Sequence, residues 1–353
     1  MVRWKKGVRL KPNVFKLPIQ KIASGWYSDK YFLRTREVLR KDRRNAQVLM
    51  QVFAREDAVV CGLDEASAVI KLCAQRPKQL KVRALFDGDY VKSWETVMTI
   101  EGNYADFAHL ETVYLGIISR RSSVATAVDE VVRAAHPKQV LFFPARFDHY
   151  SVQTGDGYAA FISGALGVST DANAAWWGTK GIGTVPHGLI AAYGGDTVKA
   201  CEAFVKHIPK SVGCIALVDF ENDCVKTSLD IARALGKRLW AVRLDTSGDL
   251  RDKSVRGRGS DSYGVCPELV RNVRNALDQC GFMWVKIVVS GGFNKERILD
   301  FRRRKVSFDM VGVGSAFLRK HIDFTADIVM VNEKPCAKVG RKLRSNPRLK
   351  LIS

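Results

Sequence analysis

Two carboxylates stand in equivalent places along this sequence. Asp219 closes the apolar run Cys214-Ile-Ala-Leu-Val, and Asp245 closes Trp240-Ala-Val-Arg-Leu one helix length later. If both runs are neighbouring parallel strands, about 4.8 Å apart, the two side chains can face one cation or one diol. An aspartate just after a strand also serves as a helix N-cap, so the residues alone leave both roles open. Ser290-Gly291-Gly292 and Gly312-Val-Gly314-Ser315 close two later runs. Glycine there bares backbone N–H groups and lets a phosphate approach the next helix. A tight strand-to-helix turn is the other use of such glycines. His187 ends Gly183-Thr-Val-Pro-His187, where an imidazole can act as nucleophile, phosphate contact or plain cap.

These groups need elements to hold them. Val140-Leu-Phe-Phe143, Cys214 to Asp219, Trp240 to Asp245, Val285 to Ser290 and Asp309 to Gly314 are continuous apolar runs of strand length. Helical stretches separate them at Asp223 to Leu235, Pro267 to Cys280 and Lys295 to Arg303. Apolar strands alternating with helices predict a parallel sheet with a covered outer face, closed or nearly closed as an α/β barrel. Chemistry then belongs at the C-terminal strand ends, where the polar residues recur. Earlier in the chain the pattern is mixed α/β. A basic helix is predicted at Arg34 to Arg44, entered through Lys30-Tyr-Phe-Leu, with Phe32, Leu33, Val38 and Leu39 on one face. A strand is predicted at Ala46 to Ala54, and a helix opened by Asp64 as N-cap. Two more strands, Lys81 to Phe86 and Glu95 to Ile100, flank the turn Asp87-Gly88-Asp89.

The chain has 353 residues, 46% of them hydrophobic and 26% charged. That balance excludes a disordered chain and a disulfide miniprotein, and the length suits two domains. No apolar run approaches the roughly 18 residues of a membrane span, and the basic start MVRWKKGVRLKPNVFK has no apolar core of a secretory signal. None of the eight cysteines, Cys61 through Cys336, forms a CxxC or a cluster with zinc-ligand spacing, so buried, reduced thiols in a cytoplasmic protein are expected. The net charge of +21 is uneven: six cations lie in residues 1–16 and seven in 334–353, with no acid in either stretch. Those ends are expected to be solvated tails, and the remaining chain is mildly basic.

In order along the chain stand Asp29-Lys-Tyr31-Phe-Leu-Arg-Thr, Glu111-Thr-Val-Tyr-Leu-Gly-Ile-Ile with Ser123-Val-Ala-Thr126, Phe143-Pro-Ala-Arg146, Gly167-Val-Ser-Thr170 and Gly183-Thr-Val-Pro-His187. Val242-Arg-Leu-Asp-Thr-Ser-Gly-Asp249, Val289-Ser-Gly-Gly-Phe293 and Val311-Gly-Val-Gly-Ser315 follow. From about Asp29 to Phe317 the sequence resembles the nicotinate phosphoribosyltransferases, among the type II phosphoribosyltransferases that also include the quinolinate and nicotinamide enzymes. The resemblance implies an α/β fold, with an N-terminal α/β sandwich packed on an incomplete α/β barrel with parallel strands. It divides the chain into a basic tail (1–16), the sandwich (17–115, with completion from C-terminal residues), the barrel (116–330) and a second basic tail (331–353).

It also implies a reaction. Nicotinate would join phosphoribosyl pyrophosphate to give nicotinate mononucleotide and pyrophosphate in NAD salvage, with Mg²⁺ on the pyrophosphate and ATP as co-substrate. Tyr31 matches the aromatic that stacks on the pyridine ring from the partner subunit, in a homodimer or larger assembly. Phe143 is the opposing aromatic. Arg146 and Arg243 match basic residues of the base and pyrophosphate sites, and Ser169 and Thr170 line the base pocket. Asp219 and Asp245 would hold ribose hydroxyls and Mg²⁺. Gly291, Gly292, Gly312 and Gly314, with Ser247 and Gly248, would bind phosphate. His187 matches the histidine that ATP phosphorylates. Displacement at C1 builds charge on the leaving pyrophosphate, which arginines stabilise, and a pyridine nitrogen needs no general base.

Two departures stand out. Phe147 follows Arg146 where the family often has a second basic residue, which bears on carboxylate recognition and so on nicotinate over nicotinamide or quinolinate. Only Cys336 lies where some archaeal relatives carry a cysteine-rich zinc site, so no zinc is expected. The basic stretch Arg251 to Arg258 is expected as a loop near the pyrophosphate, mobile or simply exposed. Quinolinate transfer with release of CO₂ is the alternative within the family. A basic RNA-binding protein or a silent scaffold is the alternative outside it, and no RNP, KH, zinc-finger or helix-turn-helix signature supports a nucleic-acid partner.

Overall fold

The computed structural model describes residues 7–257 and 259–352. Arg3, Lys5, Lys6 and Arg258, which figure in the charge pattern above, lie outside them. The chain forms two compact units. One draws on the chain up to Asp129, on 158–163 and on the chain from Lys320; the other comprises Glu130–Gly157 and Gly164–Arg319. None of the helices is long and apolar enough to cross a membrane, among the described residues.

The first unit is built on a six-stranded antiparallel sheet. Its strand order is Lys334–Pro335, Phe324–Val331, Gln47–Ala54, Thr96–Asn103, Lys81–Ala84 and Lys350–Leu351. Val48, Met50, Val52 and Ala54 alternate onto the buried face and meet Ala66, Val69, Ile70 and Cys73 of the helix Leu63–Cys73. The cap of that helix lies two residues earlier than the sequence predicts. Gly62, at φ +90°, is its N-cap; Asp64 lies inside it and caps nothing. The Asp64 carboxylate is taken by Arg9 (2.7 Å) and by the backbone N–H of Leu10 (2.7 Å), which binds the start of the described chain to this unit. The basic helix runs Lys30–Lys41, and of its predicted apolar face Phe32 is buried while Val38 is 63% exposed.

Of the expected tail 331–353, the described residues 331–352 are not a solvated tail. Arg341 pairs with Asp327 (2.7 Å) and stacks with Arg344 on Trp94, and Arg348 pairs with Glu95 (2.8 Å). Asn346 donates to the Thr96 carbonyl (2.8 Å), ahead of the strand Lys350–Leu351. Cations without local acids are held here by acids far away in sequence.

The second unit is a six-stranded sheet, all parallel, in the order Gly167–Val168, Gln139–Phe142, Met310–Val313, Lys286–Val289, Leu239–Leu244, Cys214–Leu217. The predicted helices appear at Cys224–Leu235, Pro267–Gln279 and Lys295–Arg303. Each has a buried stripe and a charged outer face, as a helix covering a sheet must. The two edges of the sheet are spanned by one extended segment. Ile182 N–H donates to the Val168 carbonyl (2.7 Å), and Val185 N–H donates to the Ile215 carbonyl (2.8 Å). The sheet is therefore an incomplete barrel with a non-strand segment across its gap. Six cysteines are buried; Cys280 and Cys336 are exposed, contrary to the expectation of burial for all eight.

Candidate active site

Inside the parallel sheet, Leu141, Ile215, Ala241, Val288 and Met310 form one apolar layer, a residue from each of five strands. Strand side chains alternate faces, so two residues further along each strand the same face continues. That next layer is Phe143, Leu217, Arg243, Ser290 and Gly312. The one beyond holds Asp219, Asp245, Gly292 and Gly314. The apolar layer is a floor, and the chemistry stands on it at the C-terminal strand ends.

A cavity of about 570 Å³ opens there. Its lining includes Phe143, Arg146, Ser169, Thr170, Arg243, Asp245, Gly291, Gly292, Gly312 and Gly314, ten of the residues expected from the sequence. The centre is a closed polar triangle. Arg243 Nε donates to Ser290 Oγ (2.8 Å), Arg243 donates through a terminal nitrogen to Asp245 Oδ2 (3.1 Å), and the Ser290 hydroxyl donates to Asp245 Oδ1 (2.7 Å). Thr184, from the segment across the gap, accepts a longer bond from Arg243 (3.4 Å). The Arg243 guanidinium also lies 5.3 Å from the centre of the Phe143 ring. Four elements thus fix one arginine, and it faces the cavity with little conformational freedom left to lose.

Two glycine sites are required by geometry. Gly291 and Gly292 have φ of +80° and +72°, a left-handed turn that side chains resist. Arg297, half-buried and with its pKa lowered by desolvation, donates to the Gly291 carbonyl (2.8 Å) and holds the turn. Gly312 packs so closely that a Cβ there would sit 2.9 Å from the Phe143 ring. Bare backbone on both neighbouring strands leaves room for a bulky anion.

On the other side, Thr170 is a helix cap. Its hydroxyl accepts from Asn173 N–H (3.0 Å) and contacts Gln153 Oε1 (3.0 Å), so it is engaged within the fold. Arg146 lies over the Phe147 ring at 5.2 Å, and Phe147 itself lines the cavity.

Five expected residues sit elsewhere. His187 opens the helix His187–Ala192 after Pro186, is 46% exposed, and its Nε2 lies 2.9 Å from Asp219 Oδ1. That pair stands outside the cavity lining, as do Ser247 and Gly248. The Ser247 hydroxyl bonds Asp249 rather than facing inward. Tyr31 belongs to the first unit and is 59% exposed on its helix. The loop after Asp245 is pinned: Asp252 accepts from Cys224 N–H (2.8 Å), and Glu268 accepts from Arg256 N–H (2.8 Å) and Gly257 N–H (3.1 Å). Arg251 and Arg256 therefore belong to an anchored loop, not a loose one.

Sequence reasoning missed Phe147, Gln153, Thr184, Asn294 and Arg319 as lining residues, and gave Ser290 and Ser315 no role of their own. Ser290 and Thr184 stood inside quoted motifs, and strand alternation from Val288 would have found Ser290. Nothing local in the sequence marks Gln153 or Arg319.

Comparison with known proteins converges on one family. The family model described as quinolinate phosphoribosyl transferase, N-terminal domain, matches residues 29–122. Nicotinate phosphoribosyltransferase pncB1 of Mycobacterium tuberculosis is 28% identical over 248 residues, 69% of this chain and 51% of that protein. Nicotinate phosphoribosyltransferase of Bacillus subtilis is 24% identical over 271 residues, 74% of this chain and 51% of that protein. The chain thus spans about half the length of the curated relatives it matches. The crystal structure of nicotinate-nucleotide pyrophosphorylase from Pyrococcus furiosus superposes with a TM-score of 0.81 at 36% identity, covering 96% of this chain and 85% of that one. With that identity over nearly its whole length, and glycine-bearing strand ends around a fixed arginine, the chain belongs to the type II phosphoribosyltransferases.

Proposed function

We propose that the protein joins nicotinate to phosphoribosyl pyrophosphate, giving nicotinate mononucleotide and pyrophosphate, as a step of NAD salvage. The single observation that carries this is the cavity itself. It brings together bare glycine backbone on two adjacent strands, Phe143 and Arg146 after the strand next to Gly312, and the bonded set of Arg243, Ser290 and Asp245. Backbone at Gly291, Gly292, Gly312 and Gly314 suits the 5′-phosphate. Phe143 and Arg146, with Ser169 beside them, suit a flat ring bearing one carboxylate.

In the reaction the pyridine nitrogen lone pair forms the bond to C1 of the ribose. The C1–O bond to pyrophosphate breaks, and its electron pair leaves on the pyrophosphate oxygen. Arg243 stabilises that developing charge, and Asp245 orients Arg243 and accepts from a ribose hydroxyl. Phe143 against Gly312 excludes water from the face of the ring.

The donor set fits Mg²⁺ as an ion held largely by the pyrophosphate. Asp245 is engaged by Arg243 and Ser290, and Asp219 by His187. No group of three or more His, Cys, Asp or Glu is placed to hold a metal, among the described residues. Asp245 and Asp219 are the carboxylates that would hold it. When bound it would neutralise charge on the leaving group.

His187 is proposed as the group that takes a phosphoryl from ATP. Nε2–H donates to the Asp219 carboxylate, which leaves the Nδ1 lone pair on an exposed ring. Tyr31, exposed on its helix, is proposed to cover the base from a second copy of the chain in a homodimer or larger assembly. Eight unpaired thiols suit a cytoplasmic setting.

Quinolinate is the second reading. It is favoured by the pyrophosphorylase likeness at 36% identity and by the quinolinate name of the family model. Against it, Phe147 stands beside Arg146, and Arg243 is already committed to Asp245. Mass spectrometry of mixtures with phosphoribosyl pyrophosphate and Mg²⁺, offering nicotinate, nicotinamide or quinolinate with and without ATP, separates these. Mononucleotide from nicotinate, faster with ATP, supports the proposal in full. Product from quinolinate with CO₂ release moves the enzyme to the second reading. Equal rates with and without ATP remove the His187 role.

A further inference from the structure

Three guanidinium groups line the cavity, and they are not equally free. Arg243 is bonded to Ser290, Thr184 and Asp245. Arg146 lies over the Phe147 ring. Arg319 lines the cavity, is exposed, and makes no hydrogen bond, ion pair or ring contact among the described residues.

Its backbone, by contrast, is well held. Arg319 closes the short turn Ser315–Leu318 that follows Gly314. Within that turn Phe317 N–H donates to the Gly314 carbonyl (3.1 Å), and the Phe317 side chain is fully buried, stacked on Phe142 at 5.3 Å. A buried ring therefore fixes the start of a long, uncommitted cation at the cavity, on the same turn as Gly314 and Ser315. The strand carrying this turn lies between the strand that ends at Phe143 and Arg146 and the strand that ends at Gly291 and Gly292. Arg319 thus follows the strand that carries one glycine site and neighbours the strand that ends at the other, and it lines the same cavity as both. Arg146 follows a strand whose other neighbour leads to Ser169 and Thr170.

We infer that Arg319 closes over the 5′-phosphate of the sugar substrate from the Gly314–Ser315 turn, as a positioning residue that supplies the charge the glycine backbone lacks. This deepens the proposed transferase reading and rests on it for the identity of the substrate. Backbone N–H groups give a phosphate direction but no full charge. An arginine fork gives two charge-assisted bonds and a net cation. No carboxylate partner has to be broken for it to move.

The test measures binding of ribose 5-phosphate and of inorganic pyrophosphate by calorimetry, alongside KM values, for wild type, Arg319→Ala, Arg319→Lys and the control Arg303→Ala. Arg303 lies on an exposed helix face, 77% exposed. Arg319→Ala is expected to bind ribose 5-phosphate about 10- to 100-fold more weakly. Its pyrophosphate affinity and its thermal midpoint without ligand are expected to stay within about twofold of wild type. KM for phosphoribosyl pyrophosphate should rise while KM for nicotinate does not. Arg319→Lys should recover part of the loss, keeping the charge without the fork. Unchanged ribose 5-phosphate binding in Arg319→Ala, or a loss confined to pyrophosphate or nicotinate, overturns the inference. If binding depends on Arg319 but no pyridine mononucleotide forms, the transferase reading falls and the phosphate role stands. If wild type binds no ribose 5-phosphate, both fall.

Discussion

The two units use arginine in opposite ways. In the first, four guanidinium groups are closed on acids or rings: Arg9 on Asp64, Arg76 on Asp106, Arg121 on Glu65, Arg341 on Asp327 and Trp94. Asp106 and Asp64 are nearly fully buried, so each such cation offsets a desolvated carboxylate. In the second unit the arginines at the strand ends meet a cavity. Arg243 is tied down but faces inward, and Arg146 and Arg319 have no carboxylate partner among the described residues. These arginines of the first unit hold the fold, whereas those at the strand ends of the second face a cavity. The comparison teaches that the net charge of +21 is no guide by itself, since what matters is which cations lack acids.

The largest effect should come from breaking the second pattern. Asp245→Asn removes the carboxylate charge, and one of the two acceptor oxygens that Arg243 and Ser290 share, while keeping the shape. We expect kcat/KM to fall on the order of 100-fold or more, with a thermal midpoint close to wild type. Turnover within a few-fold of wild type at saturating substrates would take Asp245 out of the mechanism.

Breaking the first pattern should act on stability instead. Arg76→Ala leaves Asp106, whose side chain is 1% exposed, without its three Arg76 contacts. A loss of about 2–3 kcal/mol in denaturant unfolding is expected, with activity per folded molecule retained. A large drop in kcat with unchanged stability would erase the contrast between the units.

The buried titratable groups of the first unit sharpen it further. Burial, aided by the charges of Asp327 and Asp29, pushes the Glu111 carboxyl up to about 8. Glu111 then keeps its proton in the fold after the unfolded chain has lost it. Stability therefore falls as pH rises from about 4.5 to about 8 and levels off above. Burial and the nearby Arg36 charge push His109 down to about 4, and its Nδ1 has no partner. The unfolded chain takes up that proton first, so stability also falls as pH drops from about 6.5 toward about 4. Glu111→Gln should flatten the alkaline slope and His109→Gln the acid slope, read from denaturation midpoints across pH. Slopes unchanged by both substitutions would place the pH dependence elsewhere.

The smallest effect is expected at exposed pairs. Lys226→Ala breaks a 2.7 Å contact with Asp230 on the outer face of Cys224–Leu235, and should leave the denaturation midpoint within the scatter of the measurement. A shift several times larger would mean that surface pairs carry the fold as well.

Much of the candidate site was legible because parallel strands write themselves as continuous apolar runs, and these runs, that of Asp219 excepted, ended in residues that line the cavity. The neighbouring positions of Asp219 and Asp245, and of the two glycine sites, followed from that. The helix start at Leu63 was missed because a left-handed Gly62 caps it, and Asp64 found a partner 55 residues away in Arg9. The course of residues 331–352 was hidden for the same reason: Arg341, Asn346 and Arg348 meet acids and carbonyls on distant strands. Arg319 was hidden because its meaning lies in having no partner, and Phe147 because a residue noted as a departure turned out to line the cavity.

The most direct measurement is a crystal structure of the protein with nicotinate mononucleotide and pyrophosphate bound. The account predicts the 5′-phosphate against Gly291, Gly292, Gly312 and Gly314, the pyridine ring on Phe143, and pyrophosphate next to Arg243. A nucleotide bound away from these strand ends, or seated with its ring on the glycine turns and its phosphate at Phe143, would contradict it.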